Sequence, residues 1–177
     1  MEIRKGRKED LPRIGLLYSQ ARRAMGEAGI DQWQNGDYPN ETDARKDMDQ
    51  GRCYVLEEGG EVLAVACLAF GHEPTYDEIE GEGWERDDLF YGFLHRIAVA
   101  PEAKGRGAAG LLFDELKRQA RDRGVEVIRG DTHRDNKPMQ RVMDKAGLAC
   151  RGVIHVEDGT PRLAYEAVLR PGAKEGK

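Results

Sequence analysis

The residues best placed to do chemistry lie between Tyr91 and Gly110, in the run YGFLHRIAVAPEAKGRGAAG. The run reads as a strand, a short polar turn and a glycine-dense loop that opens a helix. Such a junction gathers unpaired backbone N–H groups and the positive end of a helix dipole at one point, which suits a phosphate group. Gly105, Gly107 and Gly110 spell G-x-G-x-x-G, a dinucleotide-binding pattern. Asp131 then stands about twenty residues further on, where a ribose-binding acid is expected.

Three features argue against an NAD(P)-binding enzyme, which stays a remote alternative. A nucleotide-binding turn follows its strand directly, whereas Pro101, Glu102, Ala103 and Lys104 separate Val99 from Gly105. The unit sits in the second half of a 177-residue chain, which leaves little room for a doubly wound sheet after it. Beyond the next strand the sequence suggests one short helix and an antiparallel hairpin. A P-loop is excluded because no Gly-Lys-Ser/Thr follows the glycines.

A strand ending in Ala-Val-x-Pro, followed by R/Q-x-x-G-x-G/A, resembles the acetyl-CoA signature of the GCN5-related N-acetyltransferases. Here that segment is Lys104-Gly105-Arg106-Gly107-Ala108-Ala109, with Lys104 where Arg or Gln is usual. A second element, NKPMQRVMDKAGL from Asn136, is similar to the family's N-x-x-A-x-x-x-Y-x-K-x-G-F. The resemblance covers most of the chain. It implies an α+β fold, with a central mixed, mostly antiparallel sheet whose central strands splay apart and are flanked by helices. It also implies acetyl-CoA as cosubstrate. Residues 104–109 would hold the diphosphate, and Ile97, Ala98 and Val99 would pair through their backbones with the pantetheine arm. Asn136 would reach the arm or position the loop. A backbone N–H in this strand would stabilise charge on the thioester oxygen.

Acetyl transfer to an amine requires a base, because the attacking nitrogen must be uncharged. His95 is the candidate, since imidazole gives and takes protons near neutrality. It shares a strand face with Phe93 and Ile97. The family commonly places a glutamate two residues earlier, at the position of Phe93, and His95 could equally be a structural histidine bonding a neighbouring strand. His133 is a second candidate for proton transfer and Asp131 for binding the acceptor's cation. Both stand at a strand end, where Asp131 could instead cap the next helix and His133 face solvent. Met143 takes the place of the family's tyrosine and cannot protonate the leaving thiolate. That task falls to Tyr165, Tyr91 or water, or the thiolate leaves unprotonated. Trp33, Tyr38, Trp84 and Tyr91, in or beside long loops, either line an acceptor pocket or pack beneath those loops. No carboxylate between residues 73 and 88 is assigned a catalytic part.

The elements that must position these residues follow from periodicity. A first strand is expected at residues 2–5, and Asp10 is expected to cap a helix burying Leu11, Ile14, Leu17, Tyr18 and Ala21. A loop from Gly29 to Asn40 leads to a short helix from about Thr42 to Gln50. Arg52–Glu57 and Glu61–Phe70 form a hairpin across Gly59-Gly60. His72–Asp88 is a long acidic insertion. The strand at 91–99, a helix near 107–123 burying Leu112, Leu116 and Ala120, and a strand at 125–131 come next. A helix near 137–146 and a hairpin turning at Asp158-Gly159 complete the pattern. Residues 1–170 are expected to form one domain, with 171–177 a flexible tail.

Composition limits the partners. The chain is 39% apolar and 34% charged, with a net charge of −5, and shows no basic stripe interleaved with aromatics. Nucleic acid is therefore not expected as a partner, and the acidic balance favours a cationic small molecule or basic peptide. Cys53, Cys67 and Cys150 are scattered, which suggests no disulfide framework and no metal site. The expectation is a cytoplasmic N-acetyltransferase without metal or membrane contact, a possible homodimer. It would act by direct transfer on the primary amine of a small or amino-acid-like acceptor. The alternative is a non-catalytic acyl-CoA-binding or sensing domain.

Overall fold

The computed structural model describes residues 1–169, so residue 170 and the tail at 171–177 lie outside the described residues. Its strands are β1 (Glu2–Lys5), β2 (Cys53–Glu58), β3 (Glu61–Gly71), β4 (Glu80–Gly81), β5 (Tyr91–Val99), β6 (Val127–Thr132), β7 (Ala149–His155) and β8 (Pro161–Val168). Its helices are α1 (Leu11–Glu27), α2 (Glu41–Asp49), α3 (Ala108–Asp122) and α4 (Lys137–Lys145). The strands form one mixed sheet in the order β1-β2-β3-β5-β6-β8-β7-β4. Every neighbouring pair is antiparallel except β5 and β6. A single parallel pair leaves no doubly wound sheet for a dinucleotide.

The helices form where the apolar spacing requires. Leu112, Leu116 and Ala120 are fully buried on one face of α3, joined by Phe113. Leu11, Ile14, Leu17 and Tyr18 are the buried residues of α1. Each such Leu, Ile or Phe contributes about 1.5–3 kcal/mol on leaving water. In β3, Val62–Ala69 is buried without alternation, because the strand is covered on both faces. Leu94, Ile128 and Tyr165 belong to the main core with Leu112, Phe113 and Met143. Tyr91, Phe93, Val127 and Ala164 form a second cluster with Tyr76, which comes from the insertion.

Two local expectations need correction. Asp10 does not cap α1. Its carboxylate accepts the Arg7 N–H at 2.7 Å and pairs with Arg4 at 2.7 Å, closing the 3-10 turn that precedes the helix. That ion pair holds the Asp10 carboxyl below the usual range. The acidic insertion is also more than a loop. It contains a 3-10 turn, Pro74–Tyr76, and strand β4, which pairs with β7 at the sheet edge.

Docking of β4 depends on one glycine. A Cβ at Gly152 would lie 2.0 Å from the Glu80 carbonyl oxygen and 3.0 Å from its carbon, backbone atoms that cannot step aside. Gly152→Ala is therefore expected to lower stability by about 1–3 kcal/mol by lifting β4 off the sheet. Urea unfolding and limited proteolysis check this, and protection of the insertion equal to wild type would show that β4 does not depend on Gly152.

The part of the sheet that matters most is the opening between its parallel strands. Pairing of β5 with β6 runs from Gly92↔Ile128 to Leu94↔Gly130 and stops there. β5 continues against β3 to Val99, and β6 against β8 to Thr132, so the two diverge. A bulge lies at the point of divergence. The register against β3 steps from Cys67↔His95 to Val65↔Ala98, three residues of β5 for two of β3. Arg96 adopts φ +52 there, a conformation that costs a non-glycine residue about 1–3 kcal/mol. Its guanidinium is held by Asp47 at 2.7 and 2.8 Å and by the Tyr38 hydroxyl at 3.0 Å, which offsets the strain.

Candidate active site

The divergence of β5 and β6 opens a cleft of about 1670 Å³. Lys104, Gly105, Gly107, Ala108, Ala109 and Gly110 line one end of it. Gly105 and Gly107 have φ of +78 and +80, values that favour glycine. A Cβ at either would meet no protein atom within 4 Å, so the space above them is open. Gly107 is the N-cap of α3 and offers no side chain to the helix N–H groups. Among the described residues the N–H groups of Gly105 and of Gly107 through Gly110 have no acceptor, whereas those of Lys104, Arg106 and Leu111 do. Orphan donors at a helix start beside a lysine suit a diphosphate. Arg106 turns outward to pair with Glu58 and does not line the cleft.

Along the flank, the edge of β5 from His95 to Val99 faces the cleft unpaired on the β6 side. Ile97, Ala98 and Val99 all lie on it. The Asn136 side chain accepts the Met139 N–H at 3.2 Å, capping α4, and donates to Gln32 at 3.1 Å. Asn136 thereby ties the start of α4 to the loop that carries Trp33. Met143 lines the cleft, but Tyr165 and Tyr91 do not, so neither phenol reaches into it.

The far end holds a feature that sequence reasoning missed. His95 Nε2 lies 3.3 Å from Glu73 Oε2. An ionised carboxylate only accepts, so Nε2 carries the hydrogen, and in the neutral ring the lone pair is then on Nδ1. Nδ1 has no partner among the described residues. The ring packs edge-on against Phe93, centroids 5.3 Å apart. Glu73 is fixed in turn by the Thr75 N–H at 3.3 Å and hydroxyl at 3.1 Å, while its backbone N–H donates to the Tyr91 hydroxyl at 3.0 Å. The His95 hydrogen bond, helped by Thr75, pulls the Glu73 carboxyl below its usual range. No spacing pattern in the sequence joins residues 73 and 95. They meet because β3 and β5 are antiparallel, with Gly71 opposite Tyr91.

The depressed Glu73 carboxyl has a stability consequence. Its contribution is present above the unfolded carboxylate range, about pH 4.3, and is lost as pH falls below it. Partly exposed, it is worth under about 1 kcal/mol. Urea midpoints of Glu73→Gln should fall short of wild type at pH 7 and converge with it near pH 3. A gap that persists in acid would exclude this origin.

The remaining candidates divide. Trp33, Tyr38 and Asp131 line the cleft. Trp33 meets Tyr18 edge-on, and Asp131 accepts the Tyr76 hydroxyl at 2.7 Å. Burial pushes the Tyr76 phenol well above its usual range, so it stays a donor. Trp84 and Tyr91 are corrected to structural parts. Their rings flank the Arg129 guanidinium at 4.2 and 4.1 Å, and Arg129 pairs with buried Glu166 at 2.8 Å. This sandwich fastens the insertion to the sheet. His133 is corrected as well: it is 8% exposed, does not line the cleft, and its Nδ1 accepts the Asp135 N–H at 3.1 Å. It stabilises the turn before α4. Cys67 lines the cleft, but burial pushes its thiol up to about 12, which leaves no thiolate to act as a nucleophile.

Unpaired amides at a helix start, beside a cleft between splayed parallel strands, are the arrangement expected of an acyl-CoA-dependent transferase. The family model described as the acetyltransferase (GNAT) family matches residues 18–148. The chain belongs to that family. An acetyltransferase of the family from Streptococcus agalactiae is 33% identical, with a TM-score of 0.85 over 96% of this chain and 95% of that one. A candidate acetyltransferase from Staphylococcus aureus Mu50 is 28% identical, with a TM-score of 0.73 over 96% of this chain and 100% of that one. A Salmonella typhimurium protein solved with acetyl-CoA is 19% identical, with a TM-score of 0.69 over 99% and 98% of the two chains, and shares the fold. No curated protein matches the chain. Among the described residues no helix is long and apolar enough to cross a membrane.

Proposed function

We propose that residues 1–170 form one acetyltransferase domain that moves an acetyl group from acetyl-CoA directly to the primary amine of a small, amino-acid-like acceptor. The observation that carries this reading is the His95–Glu73 pair, both of whose residues line the cleft where β5 leaves β6. Acetyl-CoA supplies an acetyl group already activated as a thioester. The amides of Gly105 and Gly107–Gly110, with Lys104, hold its diphosphate, and the edge of β5 at Ile97–Val99 holds its arm. A backbone N–H of that edge donates to the thioester oxygen as negative charge grows there. Asp131 attracts the acceptor's ammonium group, and Trp33 and Tyr38 pack against its body. His95 Nδ1 takes one proton from the ammonium group, so that a neutral nitrogen attacks the carbonyl carbon; the second proton leaves the nitrogen for water as the tetrahedral intermediate collapses, and Glu73 keeps the ring in the required tautomer. The carbon–sulfur bond breaks and the thiolate leaves without a phenol to protonate it, which a thiol pKa of about 8.5 tolerates.

Thermal shift with acetyl-CoA, CoA and NADH, followed by thiol release against a panel of amines, tests the proposal. Stabilisation by acetyl-CoA and CoA with amine-dependent thiol release is expected. Stabilisation by acetyl-CoA with no amine turned over would leave a sensing domain instead.

A further inference from the structure

Arg162 is the second residue of β8 and is 9% exposed, yet it lines the cleft. A guanidinium carries five N–H donors. Among the described residues this one has a single acceptor, the Pro161 carbonyl oxygen 3.1 Å from Nη1. The other well-buried arginines are matched: Arg129 with Glu166 at 2.8 Å, Arg96 with Asp47 at 2.7 Å, and Arg4 with Asp10 at 2.7 Å. Asp158 also feels the charge of Arg162, though its carboxyl is held down chiefly by Thr160. The remaining N–H donors of Arg162 have no protein partner among the described residues, and the side chain borders the cleft, where an anion could meet them.

Its placement says which anion. Asp131 stands opposite Ala164 in the β6–β8 register, and Arg162 lies two residues from Ala164, on the same face of β8. Across β5, β6 and β8 that face therefore carries His95, Asp131 and Arg162 in turn. One strand, β6, lies between the strand that bears the base and the strand that bears the cation. A molecule with its amine at His95 Nδ1 and Asp131, and its anion on Arg162, is an amino carboxylate. The planar fork of the guanidinium matches the two oxygens of a carboxylate.

We propose that Arg162 binds the carboxylate of the acceptor, which makes free amino acids the substrate class of this site. The inference rests on the acetyl-transfer reading and names its acceptor. The test is calorimetric titration of the CoA-saturated protein with the N-acetyl derivatives of the proteinogenic amino acids, and with the matching N-acetyl amines that lack the carboxylate. At least one N-acetyl amino acid should bind tenfold or more tighter than its decarboxylated partner. Arg162→Gln should erase that difference, and Arg162→Lys should retain part of it. CoA affinity of both variants reports their folding. No binding by any carboxylate, or a preference that survives in Arg162→Gln, overturns the proposal. Thiol release measured in parallel separates the two readings. Turnover of decarboxylated amines with no carboxylate preference removes only the role of Arg162. Selective carboxylate binding without thiol release keeps that role and removes acetyl transfer.

Discussion

His95→Gln is expected to lower the rate of acetyl transfer by about 10²–10⁴-fold, while acetyl-CoA binds as before. Glutamine can still donate to Glu73, so the local hydrogen bond and the packing against Phe93 survive in large part. What it cannot do is accept a proton where Nδ1 now stands. The loss should fall on kcat, and the acid limb of the pH–rate profile should disappear with it. Glu73→Gln should give a smaller loss of the same kind, because an amide no longer dictates the tautomer of the ring. Steady-state kinetics with any amine that is turned over provide the measurement. A pH–rate profile unchanged in His95→Gln would remove this residue from the mechanism and leave water, or a group of the acceptor, as the base.

Gly107→Val is expected to weaken acetyl-CoA by about a hundredfold, or about 2.8 kcal/mol. The chain conformation at φ +80 is strained for a β-branched residue, and relaxing it would tilt the first turn of α3. A Cβ there would meet no protein atom within 4 Å, so the added side chain would start out into open space beside the loop amides. Two charge-assisted hydrogen bonds of about 1.5 kcal/mol each account for the loss. Calorimetry with acetyl-CoA decides the matter. The neighbouring substitution Arg106→Ala should change little, because that side chain points to Glu58 and away from the cleft. Unaltered affinity in Gly107→Val would mean that the diphosphate is held elsewhere.

Much of the fold was legible because it is local. The face of α3 formed by Leu112, Leu116 and Ala120 is set by a 3.6-residue period, and the turn at Gly59-Gly60 by positive φ at both residues. The phosphate loop was legible for the same reason, since glycines before a helical pattern can be counted. The proton-transfer end was only half visible. His95 could be named from its residue type, but Glu73 could not, because their meeting depends on a register 22 residues apart in the chain. The bulge that parts β5 from β6 was hidden too. It sits at Arg96, not at a glycine, and is stabilised by Asp47 from α2, 49 residues away. Trp84 and Tyr91 misled for a related reason. Aromatic residues in long loops suit an acceptor pocket as well as they suit packing, and only the Arg129–Glu166 pair beneath them, itself formed across two strands, decides for packing. The acidic insertion was given no catalytic carboxylate, yet Glu73 lines the cleft and Trp84 packs the insertion onto Arg129 of the sheet.

The most direct test of the central claim is a crystal structure of the protein with acetyl-CoA bound. The diphosphate should rest on the amides of Gly105 and Gly107–Gly110, with the arm along Ile97–Val99 and the thioester within reach of His95 Nδ1. Acetyl-CoA bound outside the gap between β5 and β6, or lying there with its thioester turned away from the His95–Glu73 pair, would contradict the account.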